Sequence, residues 1–311
     1  VPMIPFYTFY SMFGFQRTGD LIWQAADIRA RGFLMGATAG RTTLLGEGLQ
    51  HQDGHSLVLA STVPAVQAFD PAFAYEVGAI VRAGIDQMYG PDTPDAERDV
   101  IYYLTLYNEN YPMPALPEDP ALAEEFSRGA VRGMYRFAAA PEGHAHRATI
   151  LFSGVAHAAA RQAVDELAEH YDVAAELWSV TNYKRLREQA MATERVNRLH
   201  PTAERQVPLV SSLLSESTGP ITAVTDFMCA VPEQIGRYVP SGRPFKVLGT
   251  DGMGRSDTRE ALRRHFEVDC GHVVVSTLEG LADLGEVDRS AVADAIARYD
   301  IDPDAVDPFL V

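Results

Sequence analysis

The sequence predicts an α/β protein with an open, largely parallel sheet covered on both faces. Two observations carry this. Short β-branched and apolar runs alternate with amphipathic stretches along the chain, the pattern of strands separated by crossover helices. The composition, 47% hydrophobic and 22% charged over 311 residues, is that of an ordinary globular protein long enough for about two domains.

The elements follow in order. Residues 1–5 and the aromatic run Phe6, Tyr7, Thr8, Phe9 and Tyr10 read as a strand followed by a loop. From 17 to 31, apolar residues at Leu21, Ile22, Ala25, Ala26 and Ile28 recur with helical spacing. Residues 33–37 form a short apolar strand, and a Gly-rich polar loop covers 40–56. Residues 57–61 read as a strand edge, and Asp70-Pro71 opens a helix to about 88, since proline's missing N–H is not needed in a first turn. Val, Ile and Tyr make 100–106 a strand. Residues 107–125, carrying Pro112, Pro114, Pro117 and Pro120, read as a linker or extended crossing segment. Beyond it, strands are expected at 148–152, 174–180, 221–224, 246–249 and around Val268. Helices are expected at 156–170, 183–198, 258–266, 271–284 and 289–299.

Composition also excludes functions. With 26 Lys+Arg against 42 Asp+Glu, the net charge of −16 argues against a dedicated nucleic-acid binder, which must neutralise phosphates. No apolar run approaches the roughly 20 residues of a membrane span. The apolar opening lacks the basic leader and small-residue cleavage site of a signal peptide. Two cysteines, Cys229 and Cys270, make no disulfide framework and fit a reducing, cytoplasmic compartment. Strand-like sequence begins at Val1 without a polar lead-in, which leads us to expect a piece of a longer polypeptide.

Three segments carry chemistry. The densest polar cluster sets Glu47, His51, Asp53 and His55 among glycines in the 46–56 stretch. Glycines let a backbone approach a ligand, and histidine is poised for proton transfer near neutral pH. The other reading is a Gly-rich surface loop with incidental histidines. His51 and His55 are four apart, the spacing of a helical zinc pair, but Gly54 weakens a helix there and no Glu follows His51 to act as a zinc protease's base. No metal site is assigned. The second segment is Phe6, Tyr7, Phe9, Tyr10, Phe13 and Phe15, closing on Gln16-Arg17. It is either core filling or a stacking wall for a flat heterocycle, with Tyr10 supplying a hydroxyl. The third is the Gly-rich loop 249–257 after a strand, with Asp257 as helix cap and Glu260 three residues on. It lacks GxGxxG and a P-loop lysine and reads as a structural loop. Ser153 lacks the Gly-x-Ser-x-Gly elbow of a hydrolase.

Together these segments resemble one family over nearly the whole chain, in order. The residues concerned are Tyr10-Ser11-Met12-Phe13-Gly14-Phe15-Gln16-Arg17, Gly40-Arg41-Thr42-Thr43, Gly46-Glu47-Gly48-Leu49-Gln50-His51 with Asp53-Gly54-His55-Ser56, Asn108-Glu109-Asn110-Tyr111, and Gly249-Thr250-Asp251-Gly252 with Gly254-Arg255-Ser256-Asp257. The segment Arg263-Arg264-His265-Phe266-Glu267-Val268-Asp269 completes them. They are similar to the bacterial homodimeric pyruvate dehydrogenases, the thiamine-diphosphate component of the pyruvate dehydrogenase complex.

The resemblance implies the latter part of a thiamine-diphosphate-fold pyrimidine-binding domain at 1–110, a linker at 111–140 and a transketolase-type C-terminal α/β domain at 141–311. It further implies oxidative decarboxylation of pyruvate with acetylation of a lipoyl group. By the same resemblance Phe13 stacks on the cofactor's aminopyrimidine and Tyr10 faces the substrate. His51 contacts the pyruvate-derived group, Glu47 is its acidic loop neighbour, and Arg17 is a less direct contact. Thiamine diphosphate and Mg2+ are the implied cofactors, with the metal ligands and the activating glutamate expected upstream of Val1. The implied partners are a second copy of the chain, the upstream part of the polypeptide, and the lipoyl domain of a dihydrolipoamide acetyltransferase. Two other readings stay open: a non-catalytic dimerisation module, and another 2-oxo acid dehydrogenase or transketolase.

Overall fold

A computed structural model describes residues 3–310, which carry two sheets. The first is wholly parallel, in the order β1-β2-β4-β3, from β1 (Phe6–Tyr10), β2 (Gly32–Ala37), β3 (Val66–Phe69) and β4 (Ile101–Leu106). The second runs β5-β7-β6-β8-β9, from β5 (Met134–Ala138), β6 (His146–Phe152), β7 (Val173–Val180), β8 (Ile221–Val224) and β9 (Phe245–Leu248). Only β5 is antiparallel. The α/β expectation is met, with an antiparallel edge strand added to a parallel sheet. All eight residues of β7 are buried, as a central strand covered on both faces requires.

Helices cover both faces of the first sheet. On one side, Phe15 and Ile22 of α1 (Ser11–Asp27) and Leu57 of α2 (Ser56–Ser61) pack with Val66, Ala68 and Tyr103. On the other, Ile80 and Met88 of α3 (Ala74–Tyr89) pack with Phe33, Phe69, Tyr102 and Leu104. The second sheet is flanked by α5 (His157–Tyr171) and α9 (Cys270–Asp283), which share a core with Ile150, Phe152, Ala175 and Val224. On its other face it meets α6 (Tyr183–Leu199) and α7 (Leu209–Leu213), whose Leu186, Ala190 and Val210 share a core with Trp178, Val180 and Ala223.

The carboxyl ends of the two sheets face each other. Asp70, directly after β3, donates its N–H to Thr181 O after β7 (2.7 Å) and accepts from Gly154 N after β6 (3.2 Å). Its carboxylate takes the hydroxyls of Thr105 (2.6 Å) and Tyr107. Glu76, fully buried in the first turn of α3, accepts from Ala72 N and Phe73 N and, across the seam, from Tyr135 of β5 (2.7 Å) and Ser179 of β7 (2.6 Å). Burial still holds its carboxyl above the ordinary range, against those four donors.

Several elements depart from the sequence reading. Of the expected opening strand, Val1 and Pro2 lie outside the described residues, and residues 3–5 are not in strand. No loop follows Tyr10, because α1 starts at Ser11 rather than 17 and ends at Asp27. The stretch 57–61 is not a strand edge but belongs to α2. Asp53 Oδ1 caps that helix, accepting from His55 N (3.0 Å) and Ser56 N (2.8 Å), and so short an apolar run has no period that separates helix from strand. α3 starts at Ala74 rather than Asp70, whose backbone is committed to the second sheet. The segment expected as a linker is extended only to 119. Asp119 then caps α4 (Pro120–Arg132), and Gly133, left-handed at φ 117°, turns the chain into β5. Val268 is not a strand but a buried residue between α8 (Arg259–His265) and α9, its N–H on Arg263 O. The cap of α8 is Thr258, accepting from Ala261 N, rather than Asp257. β3 and β5 were not anticipated.

Candidate functional site

The site begins where β1 ends. Tyr10 is extended (φ −60°, ψ 124°) and forms the N-cap of α1, so the Tyr10 side chain stands at the strand's carboxyl end, where open sheets place their ligands. Phe13 and Arg17, four apart, share a face in the first turns of α1, and the Arg17 guanidinium lies 4.1 Å from the centre of the Phe13 ring. His51 comes from the long connection after β2. It closes a 3-10 turn, Leu49–His51, entered through Gly46 and Gly48 at φ 75° and 84°, which L side chains rarely adopt. The turn carries the imidazole onto α1. Ring centres lie 5.4 Å apart for Tyr10 and His51, 5.3 Å for Phe13 and His51, and 5.8 Å for Tyr10 and Phe13.

The His51 ring has a defined tautomer. Its Nδ1 lies 3.1 Å from the Glu47 carbonyl, which can only accept, so Nδ1 carries the proton and Nε2 of the neutral ring presents a lone pair. Glu47 therefore meets His51 through its main chain, while its side chain is exposed. Tyr10 is 43% exposed and Phe13 half-buried, so the ring faces are open to a planar ligand.

Four residues that sequence reasoning gave no role hold the turn. Gln52, buried, donates from Nε2 to Leu44 O (2.9 Å) and Arg255 O (2.6 Å) and accepts Arg255 N at Oε1 (2.7 Å). Arg41 donates to Gly252 O. Gln16 of α1 accepts from His55 Nε2 at 2.7 Å. Asp226, after β8, accepts Thr42 N at 3.2 Å. Gly40, at φ 84°, passes so close that a Cβ there would come within 2.0 Å of Asp226 Oδ2. Burial pushes the Asp226 carboxyl up to about 7, against Thr42 and the Arg263 guanidinium, while Asp70 pushes the same way as burial. Burial also lowers Arg41 from its ordinary value, opposed by Asp53, Asp226 and Asp251. Gly254 was the one legible hint: a Cβ there would sit 2.6 Å from Gln52 Oε1.

The structure thus brings Tyr10, Phe13, Arg17 and His51 together and reaches Glu47 only through its backbone. His51 and His55 do not form a pair: one ends a 3-10 turn, the other precedes α2, and each bonds a different partner. Among the described residues, no group of three or more His, Cys, Asp or Glu is arranged to hold a metal ion. No helix among them is long and apolar enough to cross a membrane. The 249–257 loop is a brace for the 49–52 turn.

Similarity to known proteins follows this layout. The family model "Pyruvate dehydrogenase E1 component middle domain" matches residues 1–114, and "Transketolase-like TK C-terminal domain" matches 133–269. A pyruvate dehydrogenase E1 component of Mycolicibacterium smegmatis is 52% identical over 301 residues, covering 97% of this chain and 31% of that protein. The Escherichia coli K12 protein of the same name is 48% identical over 310 residues, 100% and 33% of the two chains. The chain therefore spans about a third of the length of the curated relatives it matches. Among solved structures, transketolase from Leishmania mexicana aligns with a TM-score of 0.63 at 16% identity, over 90% of this chain and 34% of that one. A chain described as "Split gene transketolase, inactive beta4 tetramer" aligns at 0.60 and 19% identity, over 90% and 77%. At such identities these two show a shared fold.

Proposed function

We propose, from the premise that the chain belongs to the pyruvate dehydrogenase E1 component family and carries its middle and C-terminal domains, that it supplies one wall of a thiamine-diphosphate site. There pyruvate is oxidatively decarboxylated and its acetyl unit passed to a lipoyl group of a dihydrolipoamide acetyltransferase. The observation that carries this reading is the convergence of Tyr10, Phe13 and His51, with ring centres within 5.8 Å, at the carboxyl end of β1.

The residues present suit the coenzyme. Open aromatic faces match a flat heterocycle, and a tyrosine hydroxyl and an imidazole lone pair stand beside them. Mg2+ belongs to the same proposal, its ligands coming from a segment outside this chain. When bound, thiamine diphosphate supplies an electron sink for the carbanion left as carbon dioxide departs. This chain's residues do the rest. Phe13 seats the pyrimidine ring and keeps water from one face, and Arg17 packs behind it. The Tyr10 hydroxyl donates to an oxygen of the substrate. His51, its Nδ1 proton held by Glu47 O, accepts or returns a proton at Nε2 as the acetyl unit is handed over.

The site is half of one. The proposal requires a second copy of the chain and the upstream part of the polypeptide in a cytoplasmic homodimer, so the chain alone is inactive. Large apolar side chains exposed on β1 and α1 support a covering partner: Tyr7 at 63%, Leu21 at 61% and Trp23 at 54%. On this reading 1–110 is the latter part of the pyrimidine-binding domain, 111–140 the linker, whose β5 pairs with β7, and 141–311 the C-terminal domain.

His51→Ala in the complete enzyme tests the proposal. Acetyl transfer to a lipoyl domain should fall about a hundredfold or more. Unchanged transfer by a normally folded variant would instead establish the second reading, a non-catalytic dimerisation module, which the exposed apolar face also fits.

A further inference from the structure

On the far side of the first sheet from the rings, a groove of about 760 Å³ opens between α3, α4 and α6. It is separate from the site above, because α3 packs on the opposite sheet face from α1. Arg82 of α3, Arg128 and Arg132 of α4 and Arg185 of α6 line it, against the carboxylates of Asp86 and Glu124. In a chain of net charge −16 this is a local reversal of sign. Other arginines sit on acids, as Arg31 does on Asp99 at 2.7 Å; among the described residues none of these four is in an ion pair within 4.0 Å, and Arg132 commits only its Nε, to Met134 O at 3.2 Å. Arg128 and Arg132 share a helix face, and burial first, then the charge of Arg128, holds Arg132 below its ordinary pKa, with Glu125 opposing. The floor is small or apolar: Gly78, Ala79 and Ala83, with Tyr75, Leu116 and Val131 as walls.

We propose that this groove binds a phosphorylated small molecule, its phosphates in the arginine forks and its organic part against Tyr75 and the floor. Guanidinium is planar and presents paired donors that match phosphate oxygens. The volume lies in the range of small-ligand sites, and four cations from three helices surround one concavity rather than line an extended track. That shape favours a compact polyanion over an acidic protein segment.

Gly78 provides a clean test. A Cβ there meets nothing within 4 Å, so Gly78→Leu fills the groove without opposing the backbone and improves helix propensity. Titration calorimetry on the 311-residue chain would use inorganic pyrophosphate, ADP and, as the phosphate-free arm, adenosine. We expect saturable, salt-sensitive binding of ADP, weaker binding of pyrophosphate and none of adenosine. Gly78→Leu and the double variant Arg128→Gln/Arg132→Gln should each raise the ADP Kd about tenfold or more, with helix content by circular dichroism unchanged. If neither phosphate compound gives a saturable heat, or if both folded variants bind as the parent does, the proposal fails. Tighter binding of an oligoglutamate peptide than of ADP overturns it in favour of protein docking.

Discussion

Replacing Gln52 with alanine tests whether the second sheet's loop holds the His51 turn. The side chain is 1% exposed and makes three hydrogen bonds, to Leu44 O, Arg255 O and Arg255 N, at 2.6 to 2.9 Å. Each is worth about 1 kcal/mol net, and none of the three backbone groups has another side-chain partner placed to replace Gln52, so the loss should be about 3 kcal/mol. Equilibrium urea unfolding of the chain and its variant measures it. Gly254→Ala provides the coupling, since its Cβ would sit 2.6 Å from Gln52 Oε1 and 2.9 Å from the Leu49 backbone. Alone it should cost about 1–3 kcal/mol by overpacking. In the Gln52→Ala background it should cost less, because one of the two clashes is gone. A loss below 1 kcal/mol for Gln52→Ala, or strict additivity of the pair, would refute the brace.

Three further outcomes follow from buried titratable and charged groups. The Asp226 carboxyl is raised from 3.8 to about 7 in the folded chain, so the folded state holds a proton that the unfolded state releases. Its stabilising effect is complete below about pH 4, declines as pH rises and is gone above about 7, a swing of about 4 kcal/mol at 1.36 kcal/mol per unit. Asp226→Asn should therefore gain on the parent between pH 5 and 8 in urea midpoints, and a difference that stays flat would refute the assignment. His157, which burial holds down at about 4, works with the opposite sign: its contribution rises with pH from about 4 to 6.5, and His157→Gln should flatten that rise. Lys184 is 3% exposed, with Nζ on Val66 O (2.8 Å) and on Glu188 (2.7 Å). Lys184→Met should cost about 1–3 kcal/mol in thermal or urea unfolding, because Val66 O loses its donor while the half-exposed Glu188 can rehydrate.

What was legible in the sequence was whatever depends on local pattern. The 221–224 strand and the start of α6 at Tyr183 coincide with observation because β-branched runs and amphipathic turns are set by nearest neighbours. The ring cluster was legible in part, since Tyr10, Phe13 and Arg17 are close in sequence and the glycines around His51 announce an irregular turn. What failed depends mostly on distant atoms. α2 is the exception, since Asp53, which accepts from its first N–H groups, is only two and three residues away and sits within a polar loop; the start of α3 is set by Asp70 being engaged by the second sheet. β5, five residues with an irregular register, exists because β7 offers it an edge. Gln52 looks like any loop glutamine, since two of its three hydrogen bonds go to Arg255, some two hundred positions away.

The contacts of the 38–56 connection give the C-terminal half a definite part in the site. This connection belongs to the first sheet by chain order, yet its restraints come largely from the second. Thr42 N is held by Asp226, Arg41 by Gly252 O, Gln52 by Arg255, and Gly54 O by Met228 N at 2.8 Å. A 3-10 turn of three residues flanked by glycines has little intrinsic preference for one conformation. Without that mould the imidazole would sample many positions relative to Phe13. The ring geometry near 5 Å is therefore a property of both sheets together. It follows that substitutions in the 249–257 loop, which touch none of the three rings, should act on the site through His51 alone.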